Sequence, residues 1–529
     1  MSLLSITDLS VSINGTALLN DVSFTLAPGE IFGLVGESGS GKSLTALALM
    51  GLLPQGALTT GHAELEGVDL LNQSEKSMCA LRGNRIGMIF QEPMTALNPL
   101  MTIGDQVAET LMVHRAMPRA EALAVAREKL DRVGLPEPRF PLHIYPHELS
   151  GGQRQRVAIA LAIALKPALL IADEPTTALD VTTQAQILEL LRDLVDDEGM
   201  GLMLITHDLA VVAGLATHTA VMQSGRIVEQ GLTEPLFRAR AHPYTAALFA
   251  ASAHQPKRVD IGKPEPLLVV EHALRAYTLA RPSAFAPRPM LYAVNDVSFT
   301  LHEGESLGLV GSSGCGKSTL TRAILGLDRL QGGEIRLFGK PVGPNMPNAM
   351  RADVQVVFQD PYGSFNPRWR VDRLVAEPFH LLPAPPADWR ERVAEALVEV
   401  GLHPDDRRKY IHEFSGGQRQ RIAIARALIT RPDLIVLDEA VSALDVRIRA
   451  QVLDLLANLR VSHGLAYLFI SHDLSVVRAI TDRVLVMEAG RIVEEGPTEA
   501  LFTAPRHEVT RRLVAATPQI PPDWMEKIA

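Results

Sequence analysis

Gly36-Glu37-Ser38-Gly39-Ser40-Gly41-Lys42-Ser43 decides the fold of this chain. It reads G-x-x-x-x-G-K-S, follows the apolar Ile31-Phe32-Gly33-Leu34-Val35, and leads into Leu44-Thr45-Ala46-Leu47-Ala48-Leu49-Met50. That order predicts a buried parallel strand, a glycine loop and a helix, the context in which this pattern binds phosphate. Glycines let backbone N–H groups converge on phosphate oxygens, and the helix N-terminus adds a favourable dipole. Lys42 is placed to reach terminal phosphates, and the Ser43 hydroxyl to ligate Mg²⁺. The pattern returns as Gly311-Ser312-Ser313-Gly314-Cys315-Gly316-Lys317-Ser318, after Leu307-Gly308-Leu309-Val310. A glycine turn before an ordinary core helix would explain one copy. Two copies point to two nucleotide sites.

Bulk properties set limits. At 529 residues the chain exceeds one compact core, so two domains are expected. A hydrophobic content of 47% with 21% charged residues describes a globular protein. The net charge of −9 lacks the basic surplus of a nucleic-acid binder, so no nucleic-acid partner is expected. Cys79 and Cys315 are too few for a metal or disulfide framework, which fits a reducing cytoplasm. Met1–Asp8 has no signal-peptide character, and no run approaches the ~18–20 apolar residues that span a bilayer. Any membrane-embedded part is expected from other chains.

Each half carries the same marks in the same order. Ser150 and Ser415, Glu174 and Glu439, and His207 and His472 are all 265 positions apart, so the C-terminal parts of the halves align without a net gap. Such a period is far too long for a solenoid and means two whole domains in tandem. We expect domain 1 over residues 1–253, a polar Pro- and Gly-bearing linker over 254–266, domain 2 over 267–518 and a tail over 519–529. Short β-like runs alternate with helical patterns, which predicts an α/β fold with a mainly parallel sheet in each half. Leu123, Ala126, Leu130 and Val133, and again Val393, Leu397 and Val400, fall at helical spacing and predict an inserted helical subdomain in each.

Two apolar runs end in paired acids: Leu169-Leu170-Ile171-Ala172-Asp173-Glu174 and Ile435-Val436-Leu437-Asp438-Glu439. Carboxylates at the end of a buried strand are costly unless they serve metal or water. Asp173 and Asp438 suit Mg²⁺, and Glu174 and Glu439 suit polarising an attacking water. A further pair, Ser150-Gly151-Gly152-Gln153 and Ser415-Gly416-Gly417-Gln418, opens helices and forms anion-seeking N-termini.

Phosphate loop, serine-glycine turn and paired-acid strand, each present twice, resemble the ABC-type ATPases over nearly the whole chain. The resemblance implies a head-to-tail arrangement in which Lys42 faces Ser415-Gly416-Gly417 and Lys317 faces Ser150-Gly151-Gly152 across bound ATP. It further implies that Gln91 and Gln359 sense Mg²⁺ and water. Ala178-Leu179-Asp180 and Ala443-Leu444-Asp445 match the family's D-loop, and His207 and His472 its switch histidine at the γ-phosphate. Adenine stacking is implied for an aromatic near the end of the first strand. Tyr277 fits that place in the second half, whereas Ile13 stands in the first. Neither this nor Ala440 in place of Pro175 removes a catalytic group, so both sites are expected to hydrolyse ATP. Cys315 lies in the second loop, whose positive field is expected to lower its pKa and make it a target for alkylation that ATP protects against.

Gln91-Glu92-Pro93-Met94-Thr95-Ala96-Leu97-Asn98-Pro99, Gln359-Asp360-Pro361-Tyr362-Gly363-Ser364-Phe365-Asn366-Pro367 and His242-Pro243-Tyr244-Thr245 resemble the dipeptide/oligopeptide/nickel import subfamily. The second half keeps a remnant of the last, His507-Glu508-Val509-Thr510. Two fused halves of this length are similar to subunits associated with uptake of peptides, including microcin C. The resemblance implies two transmembrane permease subunits and an external substrate-binding protein as partners. It places the chain peripherally on the cytoplasmic face of the inner membrane, with one chain supplying both ATPase halves. Importers of glutathione, nickel or another small cargo remain alternatives. A soluble tandem ABC protein acting on ribosomes or DNA fits the acidic balance and these motifs less well.

Overall fold

A computed structural model describes the chain except for residues 1, 92–95, 178, 258, 260–264, 280, 282–286, 361–362, 443 and 526–529. The chain forms two units, one of Met1–Leu179, Thr183–Ala253 and Pro518–Ala529, the other of Asp180–Thr182 and His254–Thr517.

In the first unit a six-stranded sheet runs Arg226–Leu232, His218–Gln223, Ile31–Val35, Gly201–Thr206, Leu169–Asp173, Ile86–Ile89. All neighbouring pairs are parallel except the antiparallel edge pair Arg226–Leu232 with His218–Gln223. Ile31–Val35, Leu169–Asp173 and Gly201–Thr206 are buried along their whole length, as unbroken apolar runs covered on both faces must be. Each such aliphatic side chain contributes roughly 1.5–3 kcal/mol of transfer free energy. A second sheet of Leu4–Ile13, Thr16–Leu26, Ala57–Leu65 and Val68–Asp69 is antiparallel throughout. The other unit repeats the plan. Its six-stranded sheet runs Val354–Val357, Leu434–Asp438, Ala466–Ile470, Ser306–Val310, Arg483–Glu488, Arg491–Pro497.

The inserted helices form in both units. Arg119–Arg132 buries Ala122, Ala126 and Leu130, and Val133 closes the stripe. Trp389–Glu399 does the same with Val393 and Leu397, followed by buried Val400. The preceding helix differs. It runs unbroken over Ile103–Arg115 in the first unit but stops at Val375 in the second, where the 3₁₀ turn Glu377–Leu381 follows. Pro378 stands where the first unit has Thr110, and proline lacks the N–H that the α-helical ladder requires.

The His-Pro-Tyr-Thr stretch and its remnant prove to be one structural feature. His242 and His507 both cap a helix through the ring, accepting from Tyr244 N at 3.2 Å and Val509 N at 3.3 Å. The last described residues pack within the first unit. Trp524 meets Phe237 edge-on with centroids 6.3 Å apart, Asp523 pairs with Arg238, and Arg240 donates to the carbonyls of Trp524 and Met525.

Candidate nucleotide site

Four adjacent parallel strands end on the same edge of each large sheet, and each delivers one part of the site. In the first unit the glycine loop follows Ile31–Val35, His207 follows Gly201–Thr206, Asp173 and Glu174 close Leu169–Asp173, and Gln91 follows Ile86–Ile89. Residues as far apart in sequence as Ser43 and His207 thereby meet at one place. The carboxyl edge of such a sheet is where α/β proteins bind ligands.

The loop is held by its own lysine. Lys42 Nζ donates to the carbonyls of Gly36 and Glu37 at 2.8 Å each, and Lys317 Nζ to those of Gly311 and Ser312 at 2.8 and 3.0 Å. Gly41 and Gly316 precede the helices in left-handed conformations, φ 108° and 115°, which a Cβ would oppose. A Cβ on Gly36 or Gly311 would strike the carbonyl of Met222 or Met487 from the neighbouring strand. Ser38, Gly39 and Ser40, like Ser313, Gly314 and Cys315, complete the two turns.

The acids have separate environments. Ser43 Oγ donates to Asp173 Oδ1 at 3.1 Å. Burial pushes the Asp173 carboxyl above its usual range, against the bond from Ser43, and burial does the same to Asp438. The hydroxyl and carboxylate are hard oxygen donors, a set that suits Mg²⁺. Glu174 and Glu439 take the left-handed backbone, φ 48° and 50°, an unusual state for a non-glycine residue that recurs at functional sites. Each continues the ladder, its N–H donating to the carbonyl of Ile205 or Ile470 at 2.9 Å. Each carboxylate lies 3.1 Å from a histidine Nδ1, Glu174 from His207 and Glu439 from His472. Burial acts to raise Glu174, but His207, Thr177 and Lys42 outweigh it and hold the group down to about 2. Burial likewise opposes His472 and Lys317 at Glu439, and the balance again falls below the usual range. Both groups are therefore ionised at neutral pH.

Gln91 Nε2 donates to Glu174 Oε2 at 2.9 Å, so the glutamine joins the acid directly. Gln359 lines a cavity of about 730 Å³ with Phe358, Glu377, His380, Arg426 and Asp438. The serine-glycine turns form separate helix N-termini. Ser150 Oγ accepts from Gln153 N at 3.4 Å while Gln153 Oε1 accepts from Ser150 N at 2.8 Å, and Ser415 with Gln418 repeats this reciprocal cap. Gly152 and Gly417 are required because Thr183 and Ile448 cross where a Cβ would sit. Tyr277 is 37% exposed beneath the Arg275 guanidinium. Pairing of Ala276 with Tyr292, and of Ser12 with Ala17, makes Ile13 its structural equivalent.

One expectation is overturned. Cys315 is only 5% exposed, and burial, the largest influence on its thiol, raises the pKa despite the nearby Lys317. Its side chain faces inward, packed in the core, so desolvation outweighs the loop's positive field. Residues 92–95 and 361–362, and Ala178 and Ala443 of the D-loops, lie outside the described residues. Sequence reading missed three supports: Thr177, which donates to Glu174 Oε2 at 2.8 Å, Tyr244, whose hydroxyl accepts from Glu37 N at 3.1 Å, and Glu488, which accepts from Ser312 Oγ at 3.1 Å. Tyr244 was visible only as part of a family-like motif. Nothing in the sequence marked the others.

Comparison with known proteins agrees with this geometry. The family described as "ABC transporter" matches residues 19–177 and 294–442, and "Oligopeptide/dipeptide transporter, C-terminal region" matches 493–529. The peptidoglycan transport ATP-binding protein YejF of Agrobacterium fabrum is 48% identical over 530 residues, covering 97% of this chain and 96% of that protein. The glutathione import ATP-binding protein GsiA of Escherichia coli K12 is 47% identical over 545 residues, covering 96% and 87%. GsiA of Shigella sonnei shares the same identity and coverage. With two phosphate loops, two paired-acid strands and two histidines beside the paired acids, the chain belongs to the ABC transporter ATP-binding proteins and is an ATPase built of two tandem cassettes.

Proposed function

We propose that the chain energises an importer for peptide-type cargo by hydrolysing ATP at two sites. The observation that carries this reading is the ionised glutamate held against a histidine at 3.1 Å, present in both units. Glu174 and Glu439 are placed to polarise and orient the attacking water, which suits the loose transition state of phosphoryl transfer. His207 and His472 hold those carboxylates in place and face the γ-phosphate, while Lys42 and Lys317 neutralise phosphate charge. Ser43, Gln91 and Asp173 would hold Mg²⁺ in one site and Ser318, Gln359 and Asp438 in the other, where the ion supplies charge to the phosphate oxygens.

The family resemblance supports completion of each site by the opposite half's serine-glycine turn when ATP binds. The polar, Pro- and Gly-bearing composition of 254–266 supports the division into cassettes at residues 1–253 and 267–518, followed by 519–529. No helix among the described residues is long and apolar enough to cross a membrane; the family resemblance supports two permease subunits for the pore and an external binding protein for cargo capture. The chain then sits peripherally on the cytoplasmic face of the inner membrane. The cavity beside Gln359 offers a permease segment a seat next to the catalytic strand ends.

Peptide cargo is favoured by the oligopeptide/dipeptide C-terminal region, while the resemblances to YejF and GsiA favour peptidoglycan-derived cargo and glutathione, itself a tripeptide. Uptake by cells lacking the chain, scored against a panel of oligopeptides, microcin C and glutathione, separates peptide cargo from glutathione. Loss of uptake restored by the chain is the expected result. Co-sedimentation with ribosomes and no association with membrane subunits would refute the transport reading.

A further inference from the structure

We propose that Arg449 is a positioning residue for ATP hydrolysis in the second cassette, fastening the turn that carries His472 to the D-loop. This rests on the role given above to Glu439 and His472. Arg449 lies in the first turn of the helix Val446–His463. One arm of its guanidinium, Nη1, donates to Asp473 Oδ2 at 2.9 Å, and the other, Nη2, to the carbonyl of Leu444 at 3.2 Å. Leu444 belongs to the D-loop and Asp473 directly follows the switch histidine.

The two oxygens of Asp473 do different work. Oδ1 caps the helix Leu474–Ile480, accepting from Ser475 N at 2.9 Å and Val476 N at 3.3 Å, which leaves Oδ2 to Arg449. The backbone N–H of Asp473 donates to Ser471 Oγ at 3.0 Å, so the residues flanking His472 are tied to each other and through Arg449 to the D-loop. The pair is largely sheltered, with side-chain exposures of 19% and 25%. Burial acts to raise the Asp473 carboxyl, but Arg449 and Ser475 hold it below the usual range. A planar guanidinium holds two partners along fixed directions, whereas an ammonium's donors rotate at the end of a flexible stem. A shift of the D-loop must then move Asp473, and with it the imidazole that lies 3.1 Å from Glu439.

The first cassette keeps the cap but not the fork. Asp208 Oδ1 accepts from Ala210 N at 2.9 Å and Val211 N at 3.4 Å, just as Asp473 does. At the position of Arg449, however, stands the neutral Gln184, 265 residues earlier. A guanidinium at this position is thus a feature of the second cassette.

Steady-state ATPase of the full chain carrying Glu174→Gln, so that turnover reports the second site, tests the proposal, with kcat and KM for ATP measured separately and a thermal melt alongside. Arg449→Gln should lower kcat roughly 3- to 10-fold with KM within about 2-fold, the size of a coupling contact. Asp473→Asn keeps the cap and should lower kcat by a similar factor, and the double variant should fall no further than either single change. Arg449→Lys keeps the charge opposite Asp473, so it should fold normally yet still lose at least about 2-fold for want of the fork. Unchanged kcat in Arg449→Lys, multiplicative losses in the double variant, or losses tracking a lower melting temperature and a raised KM would overturn it. Glu439→Gln serves as the control. Unchanged hydrolysis there would sink the underlying role of Glu439 and His472, whereas loss there with no effect at Arg449 would sink this inference alone.

Discussion

The two cassettes hold the same catalytic groups in different settings. Glu174 receives Gln91 and Thr177 besides His207, whereas at Glu439 the residue matching Thr177 is Ser442, which donates instead to the Glu439 backbone carbonyl at 2.9 Å. The first phosphate loop is braced by the Tyr244 hydroxyl on Glu37 N. The second is braced by Ser312 on Glu488, which in turn pairs with Arg512 at 3.3 Å. An exposed tyrosine flanks the second site where the first has Ile13. Duplication preserved the groups proposed to touch nucleotide, while the contacts behind them diverged. We therefore expect two competent but unequal sites.

The largest expected effect removes what the cassettes share. Glu174→Gln together with Glu439→Gln should lower turnover by ~100-fold or more while ATP still binds, because a positioned acid or base contributes about 10²–10⁴-fold. Phosphate release from the purified double variant checks this, and near-normal turnover would refute the roles assigned to both acids. If the sites are unequal, the two single variants will retain different residual rates.

A smaller effect concerns the base. Tyr277→Ala should weaken nucleotide binding at the second site by roughly 5- to 100-fold, since stacking of a base on an aromatic ring contributes about 1–3 kcal/mol. Ile13→Tyr should tighten the first site and make the pair more alike. Titration with a fluorescent ATP analogue resolves the two affinities. Equal affinities in the unmodified chain would remove this difference between cassettes.

The smallest effect is in acid. The pKa of Glu174 is depressed to about 2 in the folded chain, against a reference of 4.5. A depressed carboxylate contributes stability that is fully present above its unfolded pKa and is lost as pH falls through the folded value. Thr177→Ala withdraws one bond from the ionised form, so the folded pKa should rise toward 4.5, and the loss, which still begins near 4.5, should be smaller and complete at higher pH. The change should be about 1 kcal/mol, and Ser442→Ala should have no such effect on Glu439. Melting curves between pH 3 and 7 test the contrast, which disappears if both variants lose stability together.

Much of this was legible in the sequence because it depends on short-range pattern. The apolar runs Ile31–Val35 and Ile435–Leu437 announce buried strands, since only strands covered on both faces stay apolar throughout. A glycine loop between strand and helix announces phosphate, and repetition at constant spacing announces duplication. The break in the second unit's helix after Val375 could also be traced, afterwards, to Pro378. Cys315 was misjudged because a side chain's inward or outward direction in a glycine-rich loop has no periodicity to betray it.

The sequence by itself determined the composition of the two sites: which loops, acids, glutamines and histidines the chain carries, and that it carries them twice. Only the tertiary structure decided their environment. It joins Glu174 to His207 across the ends of two neighbouring strands, buries the Cys315 thiol, and sets Arg449 between Leu444 and Asp473. The physical reason is that local pattern records which residues a strand or loop must contain. A pKa, a bridging hydrogen bond or a desolvated thiol depends on what the rest of the chain packs against it, and those neighbours are tens to hundreds of residues away.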